Sequence, residues 1–276
     1  MGRAGDRAGS PLRCQDTWSE GMEGLRDKVV IVTGGGHGIG RAYCLAFGRE
    51  AAKVVAADID GPAAERVSAE TVHETKTESI GLAVDVTDEA SVRRMVETVL
   101  SRFCRVDVLV NNAAMFATIP INRRGIETID PLEWEQLMAV NLKGPFLCVR
   151  AVLPAMRGQR AGKIINIASS TAFSGNPGRI HYVTSKAGMV GFTRTLASEV
   201  GEYNIQVNAV APGSTLSEEH PDAAMIRMRE AAAQRRPLKR IQTPQDIVGA
   251  VLFLASGHSD FITGQTIVVD GGAVMH

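Results

Sequence analysis

The chain has no excess of either charge: its 276 residues include 30 Lys and Arg against 30 Asp and Glu. Nucleic-acid affinity rests largely on phosphate neutralisation, so this balance excludes a general nucleic-acid binder. Cysteine is scarce. Cys14, Cys44, Cys104 and Cys148 stand far apart with no CxxC and no histidine companion, so neither a zinc site nor a disulfide frame is expected, and all four read as small buried hydrophobes. No apolar run approaches the roughly 20 residues that cross a bilayer. Arg3, Asp6, Arg7, Arg13, Asp16, Glu20 and Glu23 occupy the stretch where a signal peptide would need an apolar core. A cytoplasmic protein with no membrane partner and no metal is the expectation. Internal repeats and low-complexity tracts are also missing.

What is present is an ordinary globular composition, 45% hydrophobic and 22% charged. A chain of this length buries about three quarters of its unfolded surface as one large domain. From Lys28 onward, short β-branched runs alternate with longer amphipathic stretches, the pattern of βαβ units building a parallel sheet buried on both faces. Strands are expected at Val29 to Thr33, Lys53 to Asp58, Ser79 to Val86, Val106 to Asn111, Lys163 to Ser169, Ile205 to Ala211 and Thr266 to Asp270. Seven such strands with helices on both faces make a single doubly wound α/β domain over residues 26–276, preceded by a loose arm, residues 1–25, with five glycines and no periodicity. The rhythm breaks at about 214–238, after Pro212-Gly213. A helix-prone segment there, Ala223 to Arg235, ends at Pro237, and an excursion beyond a strand's carboxyl end suits a substrate lid.

Three features carry chemistry. The first strand runs into Thr33-Gly34-Gly35-Gly36-His37-Gly38-Ile39-Gly40 and then a helical stretch. Phosphate approaches backbone N–H groups closely only where side chains are absent, and a helix N-terminus favours negative charge, so the turn suits a dinucleotide pyrophosphate. A glycine-rich turn can also simply turn, and the G-x-G-x-x-G spacing is absent. Second, Asp58 ends the second strand, where the fold's logic expects an acid on the adenosine ribose hydroxyls. A carboxylate there repels a 2′-phosphate, which predicts NAD over NADP. Asp58 could instead cap the next helix, a part that Asp60 could also take. Third, Tyr182 and Lys186 lie four residues apart on one face of a predicted helix. A cation about 4 Å from a phenol at an effective dielectric of about 20 is worth roughly 4 kcal/mol, enough to bring proton exchange within reach of neutral pH. Ser169 stands thirteen residues before Tyr182 at a predicted strand end, and Asn141 sits in Met138-Ala139-Val140-Asn141-Leu142-Lys143-Gly144.

The Thr-Gly-x-x-x-Gly-x-Gly turn and these four residues resemble the short-chain dehydrogenase/reductase family, and further matches run from about Lys28 to Gly272. The resemblance implies a Rossmann-type sheet of order 3-2-1-4-5-6-7 and a homotetramer. It implies that Ser169 bonds the substrate oxygen while Tyr182 exchanges its proton as hydride moves to or from the nicotinamide. Lys186 would lower the phenol's pKa and bind the nicotinamide ribose, and Asn141 would hold a water joining Lys186 to solvent. Cofactor contacts are implied at Gly34, His37, Gly38, Ile39, Gly40, Asp58, Ile59, Asp85, Val86, Asn112, Ala113, Ala114, Tyr182, Lys186, Pro212, Gly213, Thr215 and Ser217. Ala114 stands where the family has Gly, and Ser217 where a Thr commonly binds the carboxamide. Ile262 to Thr266 and Val269 to Gly272 resemble the last-strand signature, a region that usually helps pack subunits.

The expected activity is hydride transfer between NAD and a secondary alcohol or ketone, a small-molecule substrate. A slight resemblance of the chain's ending to some NAD-linked secondary-alcohol dehydrogenases favours it. The alternative within the family is a 3-oxoacyl thioester reductase, against which Asp58 counts because that reaction usually runs on NADPH. A binder that senses NAD without turnover is the alternative of another class, disfavoured by the Tyr182/Lys186 pair. Ser170 or Ser174 could replace Ser169, although the spacing favours Ser169. Met115, Phe116, Phe173 and Met225 could wall an apolar pocket or pack a core. Arg41 and Arg49 read as solvated helix residues, and Arg235, Arg236, Lys239 and Arg240 as a solvated loop face. His181 and His220 read as satisfied polar residues.

Overall fold

The β-branched runs form one parallel seven-stranded sheet in the computed structural model, which describes residues 22–115 and 123–275. The strands are β1 (Val29–Thr33), β2 (Lys53–Asp58), β3 (Ser79–Ala83), β4 (Val108–Asn111), β5 (Gly162–Ile167), β6 (Ile205–Pro212) and β7 (Thr266–Val269). Their order is β3-β2-β1-β4-β5-β6-β7, as expected for a doubly wound Rossmann-type fold. Helices α1 (Gly38–Arg49), α2 (Gly61–Thr75) and α3 (Glu89–Phe103) follow the first three strands; α4 (Pro131–Met138) and α5 (Gly144–Gln159) follow β4. Then come α6 (Thr171–Ser174), α7 (Ile180–Val200), α8 (Ala223–Ala233) and α9 (Gln245–Ala255).

Alternation along β1 sorts the core. Val29 and Ile31 join the layer under α3, α5 and α7, packed with Val96, Val152 and Val200. Val30 and Val32 face the opposite layer, with Phe47 of α1, Val67 of α2 and Val251 of α9. Both sheet faces are thereby covered, which is why the strands read as continuous apolar runs.

Several expectations change. Strand β3 stops at Ala83 rather than Val86, because Asp85 closes a turn of its own: Oδ1 accepts from the Thr87 N–H (2.8 Å) and hydroxyl (2.7 Å). Residues 1–21 of the expected arm lie outside the described residues, but its end is packed. Leu25 is fully buried, and Met22 N donates to Glu50 Oε2 at 2.6 Å. Cys44 and Cys148 are buried as expected. Cys104 is exposed, because it takes the left-handed position (φ 62°) that ends α3. Cys14 lies outside the described residues.

A helical stretch long and apolar enough to cross a membrane does exist, Pro131–Gln159, with mean hydropathy 1.3 over its most apolar window. Its apolar character has a packing cause: Leu147, Cys148, Val149, Val152 and Met156 face the sheet. Between α4 and α5 the helix widens to π geometry at Ala139–Lys143. Pro145 has no N–H to return to the Asn141 carbonyl four residues back, so the regular ladder is interrupted there.

Candidate active site

A cleft of about 540 Å³ opens beyond the carboxyl ends of the strands, at the point between β1 and β4 where the strand order reverses. Its floor begins at the glycine turn. Gly38 has φ +50°, and a Cβ there would lie 3.0 Å from the Ser217 carbonyl oxygen. A Cβ on Gly40 would drive into the Gly34 carbonyl. The turn is tied to β4 by Asn112, whose Nδ2 donates to the carbonyls of Thr33 and Gly34, each at 3.0 Å. The Thr33 hydroxyl accepts from Asn112 N (3.0 Å) and Ala113 N (3.2 Å). Helix α1 starts at His37 with no side-chain cap and no acid in its first turn. Its first N–H groups therefore face the cleft as a ready anion site, and the turn fits a pyrophosphate.

Asp58 is held from both sides. Oδ2 accepts from Gly36 N (2.9 Å) and Oδ1 from Asp60 N (3.0 Å), so the carboxylate is fixed on the cleft wall with lone pairs to spare. The helix-capping part falls to Asp60, which accepts from Ala63 N at 3.0 Å. Asp60 also contacts His37 Nε2 at 3.1 Å. Ile59 is 73% exposed beside this wall, an apolar surface open to a planar base. Asp85 and Val86 line the cleft as well, although Thr87 already occupies part of the Asp85 carboxylate. Arg41 and Arg49 are engaged away from the turn: Arg41 pairs with Glu70, and Arg49 with Glu74 at 2.8 Å. Every residue expected to contact cofactor borders this one cleft, including Ala113, Ala114, Pro212, Gly213, Thr215 and Ser217.

Ser169, Tyr182 and Lys186 meet at the other end. Ser169 follows β5, and its Oγ accepts from the Thr171 hydroxyl (2.9 Å) while also hydrogen-bonding Tyr182. Tyr182 and Lys186 are buried on successive turns of α7, and Lys186 Nζ donates to the Ile167 carbonyl at 2.7 Å. Burial lowers the Lys186 pKa to about 8. The expected acidification of Tyr182 is countered by burial. The ammonium stands 6.0 Å from the ring centre, and burial raises the phenol's pKa, opposed by Ser169 and then Arg179. Tyr182 therefore holds its proton firmly.

Asn141 lies behind the cleft rather than on its wall. Oδ1 accepts from Met115 N (2.9 Å), and Nδ2 donates to Ser185 Oγ (3.1 Å). Ser185 in turn donates to the Tyr182 carbonyl at 2.8 Å. The Asn141 amide thus joins Met115 to the turn of α7 that carries Ser185. Of the two rival serines, Ser170 borders the cleft, whereas Ser174 turns to the Ser170 and Gly175 carbonyls.

The segment after Gly213 lies over the cleft, contributing Ser214, Thr215, Ser217, Glu218, Glu219 and Arg229 to its wall. Arg236, expected on a solvated face, is buried: Nη1 donates to Gln242 Oε1 and Nη2 to the Ser214 carbonyl, both at 3.2 Å. Of the apolar candidates, Met115 borders the cleft, while Phe173 packs with Met189 in a separate core. Phe116 lies outside the described residues. His181 is buried against Glu133 at 3.1 Å. Thr171, Asn176, Arg179 and Arg229 are wall residues that sequence reasoning missed. Arg179, one turn ahead of Tyr182, was the only one with a signal in its position.

Fold and cleft together define an oxidoreductase built to hold a nicotinamide dinucleotide. A family model described as enoyl-(acyl carrier protein) reductase matches residues 34–274. The chain belongs to the short-chain dehydrogenase/reductase family. It is 39% identical over 261 residues to a 3-oxoacyl-[acyl-carrier-protein] reductase of Thermotoga maritima, covering 91% of this chain and 99% of the relative. A Synechocystis protein of the same description is 38% identical over 256 residues, covering 92% and 100%. One from Staphylococcus epidermidis is 37% identical over 249 residues, covering 90% and 100%.

Proposed function

We propose that the protein reduces the C3 ketone of a 3-oxoacyl compound, and reversibly oxidises the matching 3-hydroxyacyl compound, with NAD(H) as its cofactor. The observation that carries this reading is the Ser169–Tyr182 hydrogen bond on the cleft wall above buried Lys186. When bound, the nicotinamide supplies the hydride acceptor or donor. The chain supplies the rest. Ser169 and Tyr182 bond one substrate oxygen, and Tyr182 gives it a proton as the ketone becomes an alcohol. At neutral pH the phenol carries the proton that this step requires. Lys186, with its ammonium fixed by Ile167, would hold the nicotinamide ribose. Asn141 would act through Ser185, fixing the turn of α7 that carries Tyr182.

The relatives' names favour a 3-oxoacyl substrate over a plain secondary alcohol, which was the expectation from sequence. A 3-hydroxyacyl compound is itself a secondary alcohol, so the narrower reading lies inside the broader one. Asp58 supports NAD, because a carboxylate fixed at the end of β2 would repel a 2′-phosphate on the adenosine ribose. The reading also takes the homotetramer and the cytoplasmic location that the family resemblance and sequence suggested. Its test is NADH consumption with 3-oxobutanoyl compounds against a panel of simple ketones, each repeated with NADPH. Turnover confined to simple ketones overturns the substrate class, and no turnover with any compound favours the sensing alternative.

A further inference from the structure

Two guanidinium groups border the substrate end of the cleft, and a third acts on one of them from beside it. Arg179 precedes α7 as its N-cap residue, one turn before Tyr182, and is half-buried on the cleft wall. Arg229 comes from α8, is 6% exposed, and borders the same wall. Arg123 reaches in from the loop before α4 and donates to the Pro177 carbonyl at 3.1 Å. Burial makes Arg179 hold its proton less tightly, and Arg123 and Arg229 add to that by like-charge repulsion; Tyr182 acts the other way. Such a gathering costs free energy that a bound anion would offset.

Two acids share the wall, and Glu218 pairs with Arg229 itself. Glu218 accepts from Arg229 Nη2 at 2.8 Å and from Ser217 N at 2.9 Å. Glu219 acts on Arg41 of α1. Arg229 gives Nη1 to Ser214 Oγ at 2.9 Å, while its buried Nε has no hydrogen-bond partner among the described residues. Thr171 and Asn176 add polar groups to the same wall.

We infer that this corner is a carboxylate subsite, in which Arg179, backed by Arg229, takes the C1 carboxylate of a 3-oxo or 3-hydroxy acid whose C3 lies at Tyr182 and Ser169. The inference rests on the proposed C3 chemistry and specifies the C1 group. Arg179 caps the helix that carries Tyr182, and the two groups act on each other electrostatically, so they stand close enough for one short substrate to span both. A planar carboxylate matches the guanidinium fork in shape and charge. A thioester at C1 is neutral and would gain a bond roughly half as strong.

The test compares 3-oxobutanoate with its methyl ester and its N-acetylcysteamine thioester, in the wild type, Arg179→Gln and Arg179→Lys. The expected result is that the acid-to-ester ratio of kcat/KM falls roughly 10- to 100-fold in Arg179→Gln, chiefly through KM, and is partly restored in Arg179→Lys. A ratio unchanged by Arg179→Gln overturns the inference while leaving C3 chemistry intact. Should none of the three compounds turn over, the proposed function fails, and binding decides the subsite separately. Butanoate should then quench the fluorescence of bound NADH more strongly than butanamide, with the difference lost in Arg179→Gln. Equal quenching by the two overturns the subsite.

Discussion

Asp58 Oδ2 accepts a hydrogen bond from the Gly36 backbone N–H at 2.9 Å, so the acid at the end of β2 and the glycine turn after β1 form one rigid corner. In the proposed reading this corner selects NAD over NADP. Asp58→Ala should lower kcat/KM with NAD roughly 10- to 100-fold, by removing bonds to the ribose hydroxyls, and should raise the NADP-to-NAD ratio. Steady-state kinetics with both cofactors check this. A wild-type enzyme with the higher kcat/KM on NADP would refute the role given to Asp58.

Tyr182→Phe removes the hydroxyl proposed as the proton donor while keeping the ring that packs with Met115 and Leu137. The rate should fall roughly 10²- to 10⁴-fold, the range for loss of general acid catalysis. Cofactor affinity, read by fluorescence titration, should stay near wild type. A retained rate would remove Tyr182 from the chemistry.

Burial places the Lys186 pKa at about 8. A lysine with a lowered pKa is fully charged well below that value and loses its charge as pH rises through it. Cofactor affinity of the wild type should therefore weaken above about pH 8, and Lys186→Met should bind more weakly than wild type at lower pH. The two affinities should converge at high pH. Parallel curves would show that the ammonium charge does not contribute to binding.

Asn141→Ala would leave Met115 N without its acceptor and remove one of the two hydrogen bonds of Ser185 Oγ. Stranding buried groups of this kind costs about 1–3 kcal/mol. For a chain of this size each kcal/mol lowers Tm by about 2–4 °C, so a calorimetric scan should register the change. An unchanged Tm would mean that the amide holds nothing in place.

Strand positions were legible because both sheet faces are buried, which leaves β1 and β6 as unbroken apolar runs. Ends were less legible. The turn at Asp85 cuts β3 short through side-chain bonds to Thr87 that periodicity does not register. The glycine turn, Asp58, Ser169, Tyr182 and Lys186 could be picked out because each sits at a fixed offset from a strand end or within one helix. The burial of Arg236 could not, since its partners Gln242 and Ser214 are brought to it by the segment folding back over β7.

Local pattern alone thus determined the alternating architecture, the phosphate turn and the tyrosine–lysine pair, because each depends on residues near one another in the chain. Only tertiary structure decided the charge state around that pair. Desolvation raises the Tyr182 pKa and lowers that of Lys186, and Ser169 and Arg179, brought in by the fold, oppose the rise at the phenol. Electrostatic effects depend on distance and on exclusion of water, and neither is set by spacing along the sequence.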